Sequence, residues 1–76
     1  PPLRDRNEDI LPLARVFLRK FADRYDRPCT DFTDEVCERL LEHGWAGNAR
    51  ELKTVVESAV LKTADEELVA TEHLTL

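Results

Sequence analysis

An arginine at the start of a predicted helix is the residue of this sequence best suited to binding a ligand. In the stretch EHGWAGNARELK, Arg50 follows Asn48 and Ala49 where an apolar helical pattern begins. Cations are disfavoured there, because unpaired backbone N–H groups and the helix dipole make a helix start electropositive. The same N–H groups and an exposed guanidinium could together bind an anion, and the planar fork of arginine suits phosphate. An anion site at Arg50 is therefore one of two roles that the local residues allow.

A surface ion pair is the alternative role for Arg50. Arg50 precedes Leu52 by two positions, which turns its side chain about 200° away from the predicted core face. It could then pair with Glu57 two turns further on, or with an acidic residue of the preceding helix. The local residues leave both roles open.

The cysteines and histidines show no spacing typical of metal or redox chemistry. Cys29 and Cys37 are not in a CxxC arrangement, and His43 and His73 stand apart from them. We predict two free cysteines, with Cys37 half-buried on a helix, and histidines in ordinary surface or capping roles. No metal site is predicted.

The first predicted helix has apolar residues at helical spacing. Proline has no N–H to donate, so Pro12 should lie in the first turn, which favours Asp9 as the N-cap. The residue before Pro28 avoids the α region, so the helix should end before it. The apolar positions of this helix are Ile10, Leu13, Ala14, Phe17, Leu18, Phe21 and Tyr25.

Two further helices should place Arg50. Thr33 is a good N-cap for the second, and Gly44 suits its C-terminal end. Asn48 should cap the third, with Glu51 at the spacing of a capping box, and this helix should fade near residues 63–64. The apolar stripes are Val36, Leu40 and Leu41 on the second helix, and Leu52, Val55, Val56, Ala59 and Val60 on the third.

The chain as a whole is predicted to be all-α. ELVA near the C-terminus should be a short extended piece, and TEHL a helical turn capped by Thr71. Three amphipathic helices with short links indicate a small three-helix bundle, and 76 residues suffice for one domain.

The charge and the hydropathy of the chain argue against binding to DNA and to membranes. The net charge is −5, and residues 29–76 carry four basic side chains against eleven acidic ones. Such a surface should repel a phosphate backbone, so we predict no DNA contact by this chain. Its apolar runs are far shorter than the roughly 18 residues of a membrane span, which predicts no membrane contact and a cytoplasmic setting.

Two motifs resemble those of bacterial sigma-54-dependent transcriptional activators. GWAGNARELKTVVESAV resembles their W-P-G-N-V-R-E-L segment, and PPLRDRNEDILPLARVFL resembles the P-P-L-R-x-R-x-E-D-I-x-x-L segment found upstream of it. VATEHL resembles the end of the same region. The resemblance covers nearly the whole chain and implies that residues 1–76 are the C-terminal helical lid subdomain of an AAA+ domain, a fragment of a larger protein.

The resemblance also implies a function and a set of site residues. The sensor II arginine of the family falls on Arg50, which would be catalytic and contact ATP phosphates. Asn48 and Ala49 would complete the cofactor-binding residues, Asn48 by aiming the helix and Ala49 near the base and ribose. Ala46 and Ala49 replace the usual proline and valine or isoleucine, and the change at Ala49 reduces the apolar surface offered to the base.

The partners implied by the resemblance lie outside this chain. They are an α/β subdomain of the same AAA+ domain, which would hold Mg²⁺ and the phosphate loop, and neighbouring subunits of a hexameric or heptameric ring. The intact protein would remodel sigma-54 RNA polymerase, whereas this fragment alone should be inactive as an ATPase. The alternatives are a DNA-binding helix-turn-helix and a nucleotide-independent helical interaction module.

Overall fold

The computed structural model describes residues 7–43 and 49–75. These residues form three α-helices, a two-stranded parallel sheet and a 3₁₀ turn, so the predicted small helical fold is confirmed. The elements in chain order are α1 (Asn7–Arg24), β1 (Asp31–Phe32), α2 (Asp34–Glu42), α3 (Ala49–Lys62), β2 (Leu68–Val69) and the 3₁₀ turn (Thr71–His73).

The start of α1 differs from the prediction. Asp9 is not the N-cap: the helix already includes Asn7, and Pro12 is its sixth residue. Pro12 therefore leaves the carbonyl four residues earlier without its usual helical N–H partner. The helix continues through this position because Ile10 and Ala14, on either side, are completely buried in the core while Pro12 itself is exposed.

An aspartate in the left-handed region ends α1. Asp26 has φ 54°. The Arg27 N–H donates to the Ala22 carbonyl at 2.8 Å, and the Asp26 N–H donates to the Asp23 carbonyl at 3.4 Å. These two hydrogen bonds form a Schellman motif. The helix therefore ends before Pro28, as predicted, and the backbone hydrogen bonds of its last turn end it.

Helix α2 begins at its predicted cap. The Thr33 hydroxyl accepts a hydrogen bond from the Val36 N–H at 3.2 Å. Val36 and Leu40 are fully buried, but the prediction that Leu41 belongs to the apolar stripe is wrong, because 37% of this residue is exposed. One more position along the helix turns Leu41 about 100° away from Leu40.

Helix α3 ends at Lys62, close to the predicted end. The Thr63 hydroxyl donates to the Val60 carbonyl at 2.7 Å, and Ala64 follows in the left-handed region with φ 54°. The predicted caps at Gly44 and Asn48 lie outside the described residues.

Strands β1 and β2 connect distant parts of the chain. Asp31 pairs with Leu68 and Phe32 with Val69, in parallel. The ELVA segment therefore contains an extended piece, as predicted, whereas its partner β1 was not predicted. The Thr33 N–H lengthens the ladder by donating to the Val69 carbonyl at 3.0 Å.

The final turn is not capped by Thr71, contrary to the prediction. Thr71 is its first residue, and Ala70 precedes it in an extended conformation. The Ala70 N–H donates to Nδ1 of His73 at 2.9 Å. The side chain of His73, at the end of the turn, therefore caps the start of the turn. A capping role was one of the two roles predicted for this histidine.

One hydrophobic core joins the three helices and the two strands, and α1 packs mainly against α3. Every predicted apolar position of α1 and α3 lies in this core or packs against it. Among the described residues, the fully buried large apolar side chains are Ile10, Leu18, Phe21, Val36, Leu40, Leu52, Val56, Val60 and Val69.

Asp31 makes the contact between α1 and the sheet sensitive to acid. Its Oδ1 accepts from the Phe32 N–H at 2.8 Å and from Arg15 Nε at 3.0 Å, and these bonds lower the pKa of the carboxyl. A carboxyl with a lowered folded-state pKa stabilises the fold above its unfolded-state pKa of about 3.9, and this contribution is lost as the pH falls.

We expect Asp31→Asn to reduce the slope of unfolding free energy against pH below about pH 4. Urea titrations between pH 3 and pH 6 would measure this slope. Asp65→Asn, in the exposed loop after α3, is the matched control. Equal slopes for the wild-type chain and Asp31→Asn would contradict the assignment.

Candidate functional site

The first turn of α3 carries two of the three predicted site residues. Arg50 is its second residue and is exposed, as its position relative to Leu52 predicted. Ala49 is half-buried and packs against the hydrophobic core, so its methyl group also helps to seat the helix start. Asn48 lies outside the described residues. The Arg50 carbonyl accepts a hydrogen bond from the Thr54 hydroxyl at 3.0 Å.

A side-chain contact connects the end of α2 to the start of α3. Nε2 of His43 lies 2.8 Å from Oε1 of Glu51, and both side chains are partly buried. His43 follows the last residue of α2, while Glu51 is in the first turn of α3 next to Arg50. This contact therefore fixes the helix start that carries Arg50. Sequence analysis missed it, because only the fold brings these two side chains together.

A second contact anchors the middle of α3. The Tyr25 hydroxyl donates to Oε2 of Glu57 at 2.6 Å, which connects the end of α1 to α3. This hydrogen bond, more than partial burial, raises the pKa of the Tyr25 phenol. Glu57 was one of the predicted ion-pair partners of Arg50. In the structure, one of its carboxylate oxygens accepts the hydrogen bond from Tyr25. The choice between an anion site and an ion pair at Arg50 stays a prediction.

The cysteines are free, as predicted, and are not arranged for thiol chemistry. Cys29 is buried and Cys37 is half-buried. Burial raises the pKa of the Cys37 thiol, and this effect outweighs the opposing influence of Arg15, whose Nη2 lies 3.9 Å from the sulfur. Cys37 is therefore a poor nucleophile at neutral pH.

Three potential metal ligands lie close together in the C-terminal part. Glu66, Glu72 and His73 offer donor atoms within 4.8 Å of one another. Because Nδ1 of His73 accepts the Ala70 N–H, the neutral ring carries its proton on Nε2, which lies 3.4 Å from a Glu66 oxygen. A metal at Nε2 would have to displace that proton, so the geometry supports a structural role for this cluster.

The arrangement around Arg50 is suited to binding an anion held by a neighbouring surface. It combines a helix start, an exposed guanidinium and two contacts that hold α3 against α1 and α2. Comparison with known proteins gives the family of the chain. Residues 4–76 match the family described as the AAA+ ATPase lid domain. The chain belongs to this family, which confirms the fold and the resemblance seen in its sequence.

Similar proteins are bacterial transcription regulators. The chain is 49% identical over 74 residues to the alginate biosynthesis transcriptional regulatory protein AlgB of Pseudomonas putida, covering 97% of this chain and 16% of that protein. It is 48% identical over 61 residues to the transcriptional regulatory protein ZraR of Klebsiella oxytoca, covering 80% of this chain and 14% of that protein. The sigma54-dependent transcriptional activator SfnR of Pseudomonas putida is 42% identical over 64 residues, covering 84% of this chain and 18% of that protein.

These matches identify the chain as a lid domain of the sigma-54-dependent activator type. The chain spans about a sixth of the length of the relatives it matches, 16% for AlgB. In the part of the chain that the structure describes, no helix has the length and apolar character needed to cross a membrane.

Proposed function

We propose that this chain is the lid of an ATP-hydrolysing activator of sigma-54 RNA polymerase, and that Arg50 is its sensor II arginine. The observation that carries the proposal is the exposure of Arg50 on the first turn of α3 in a chain of the AAA+ lid family. A guanidinium in this position can reach phosphates held by an adjoining subdomain, and its fork can donate two hydrogen bonds to them.

The other proposed site residues shape the approach to Arg50. Ala49 presents a small, half-buried surface, which would lie beside the base and ribose, and Asn48 would aim the helix start. Bound ATP supplies the phosphoanhydride bond that is hydrolysed, while Mg²⁺ and the phosphate loop belong to the α/β subdomain. The lid's contribution is positive charge placed where negative charge develops during hydrolysis.

Two side-chain contacts between the described helices support a coupling role. Arg50 lies next to Glu51, whose contact with His43 connects α3 to α2, while Glu57 connects α3 to Tyr25 of α1. A displacement at Arg50 would therefore be passed on to α1 and α2. Such a motion can couple the nucleotide state to the position of the lid.

The remaining parts of the proposal concern the larger protein. Residues 1–76 are one subdomain of it, packed against the α/β subdomain of the same AAA+ domain. The intact protein is a cytoplasmic hexamer or heptamer that remodels sigma-54 RNA polymerase. Membership of the lid family and the similarity to an activator of the sigma-54-dependent type support these statements.

We expect the 76-residue chain alone to hydrolyse no ATP above the background of an Arg50→Ala control chain, whereas the intact protein hydrolyses ATP. A coupled-enzyme assay of phosphate release from both preparations, at equal molar concentration, tests this. Turnover by the chain alone that disappears in the control would mean that catalysis does not depend on an α/β subdomain.

A further inference from the structure

A basic groove lies beside the C-terminal half of α1. It has a volume of about 440 Å³ and is open to solvent. Its walls come from α1 and the segment that leads to β1. We call it the arginine groove, and its main lining residues are Arg15, Arg19, Asp23, Arg27, Cys29 and Thr30.

The arginine groove is separate from the proposed nucleotide site. Nη2 of Arg27 donates to the Leu61 carbonyl at 3.4 Å, near the C-terminal end of α3. Arg50 is in the first turn of the same helix. Eleven residues of α-helix extend about 16 Å, so a ligand in the groove would be at the opposite end of α3 from Arg50.

The groove has donors that the described residues do not satisfy. Arg15 is paired with Asp31. Within residues 7–43 and 49–75, neither Arg19 nor Arg27 has a carboxylate partner. Nε of Arg27 is also buried without a hydrogen-bond acceptor in that same part of the chain. A buried N–H without an acceptor costs free energy, so the Arg27 side chain is not fully satisfied by its contact with Leu61.

We propose that the arginine groove binds an acidic segment of a partner protein, with one carboxylate placed between Arg19 and Arg27. Arginine donates to carboxylates through paired N–H groups, and a volume of about 440 Å³ accommodates a few side chains. The charge of the chain disfavours a long polyanion instead. A polyanion longer than the screening length of about 8–10 Å would extend out of the groove onto the acidic surface of residues 29–76. Its further phosphates would be repelled there.

The test uses the 76-residue chain and a fluorescein-labelled peptide of six residues, two of them adjacent glutamates and the others alanine. Fluorescence anisotropy at low ionic strength should show saturable binding. We expect Arg19→Gln to weaken it about threefold, as an exposed ion pair would, and Arg27→Gln to weaken it about tenfold, because Arg27 is half-buried whereas Arg19 is exposed. Arg24→Gln removes the same charge from the last turn of α1, outside the groove, and should leave binding nearly unchanged.

Several results would overturn the proposal. They are the absence of saturable binding, an equal loss for Arg24→Gln, and a higher affinity for tripolyphosphate or for a single-stranded oligonucleotide of the same charge as the peptide. Arg19 is exposed, so Arg19→Gln should keep the native circular dichroism spectrum, and its affinity remains interpretable even if Arg27→Gln disturbs the contact with Leu61.

Discussion

Arg50→Ala in the intact protein should lower the turnover number for ATP about 10²- to 10³-fold while leaving the lid folded. Removal of one preorganised donor to a developing negative charge commonly costs this much. Because Arg50 is exposed, its truncation should change the free energy of unfolding by no more than about 0.5 kcal/mol. Removing a cation from the electropositive helix start should offset part of any loss.

Steady-state ATPase assays and thermal melts of the same preparations would measure both effects. Arg50→Lys should restore only part of the activity, since a single ammonium group cannot reproduce the two-pronged contact of arginine. Lys53→Ala, an exposed change one turn further along α3, is the matched control. If Arg50→Ala unfolds the lid but the folded fraction keeps its specific activity, Arg50 is structural and the proposed site is wrong.

Phe21→Ala should leave most of the 76-residue chain unfolded at 25 °C. Phe21 is completely buried and is among the largest side chains of the core. Replacing a buried phenylalanine by alanine typically costs about 3–5 kcal/mol. A core in a chain of this size supplies roughly that amount in total, so little net stability would remain.

Far-ultraviolet circular dichroism and urea titration would test this expectation. Val16→Ala, on the same helix but with 62% of Val16 exposed, is the control and should shift the unfolding midpoint only slightly. If Phe21→Ala unfolds cooperatively with a urea midpoint close to that of Val16→Ala, the core reorganises to fill the space left by the ring.

The features that could be predicted from the sequence depend on local spacing. The exposure of Arg50 follows from its distance to Leu52, because the helical repeat places the two side chains on different faces. The Thr33 cap follows from a hydroxyl just before an apolar helix. Such inferences need only residues within a few positions of one another.

The features that were missed depend on which distant residues the fold brings together. Strand β1 has only two residues, too few to show the alternation of apolar and polar side chains typical of a strand. It forms by pairing with β2, which is far along the chain. The contact between His43 and Glu51 spans only eight positions, but its side chains belong to the ends of two different helices, whose relative placement the sequence does not give. At the start of α1, proline disfavours the interior of a helix, but burial of the residues around Pro12 outweighed this preference.

The pairing of β1 with β2 sets an order of events during synthesis on the ribosome. Helix α1 ends at Arg24, but Val69, which lies in the same core, is translated 45 residues later. At about 5–20 residues per second, this delay is about 2–9 s. During that interval the core lacks Val69, one of its completely buried side chains, and its uncovered apolar surface is available to chaperones that bind hydrophobic segments. A translational pause before residue 69 would therefore lengthen the period in which the nascent chain can aggregate.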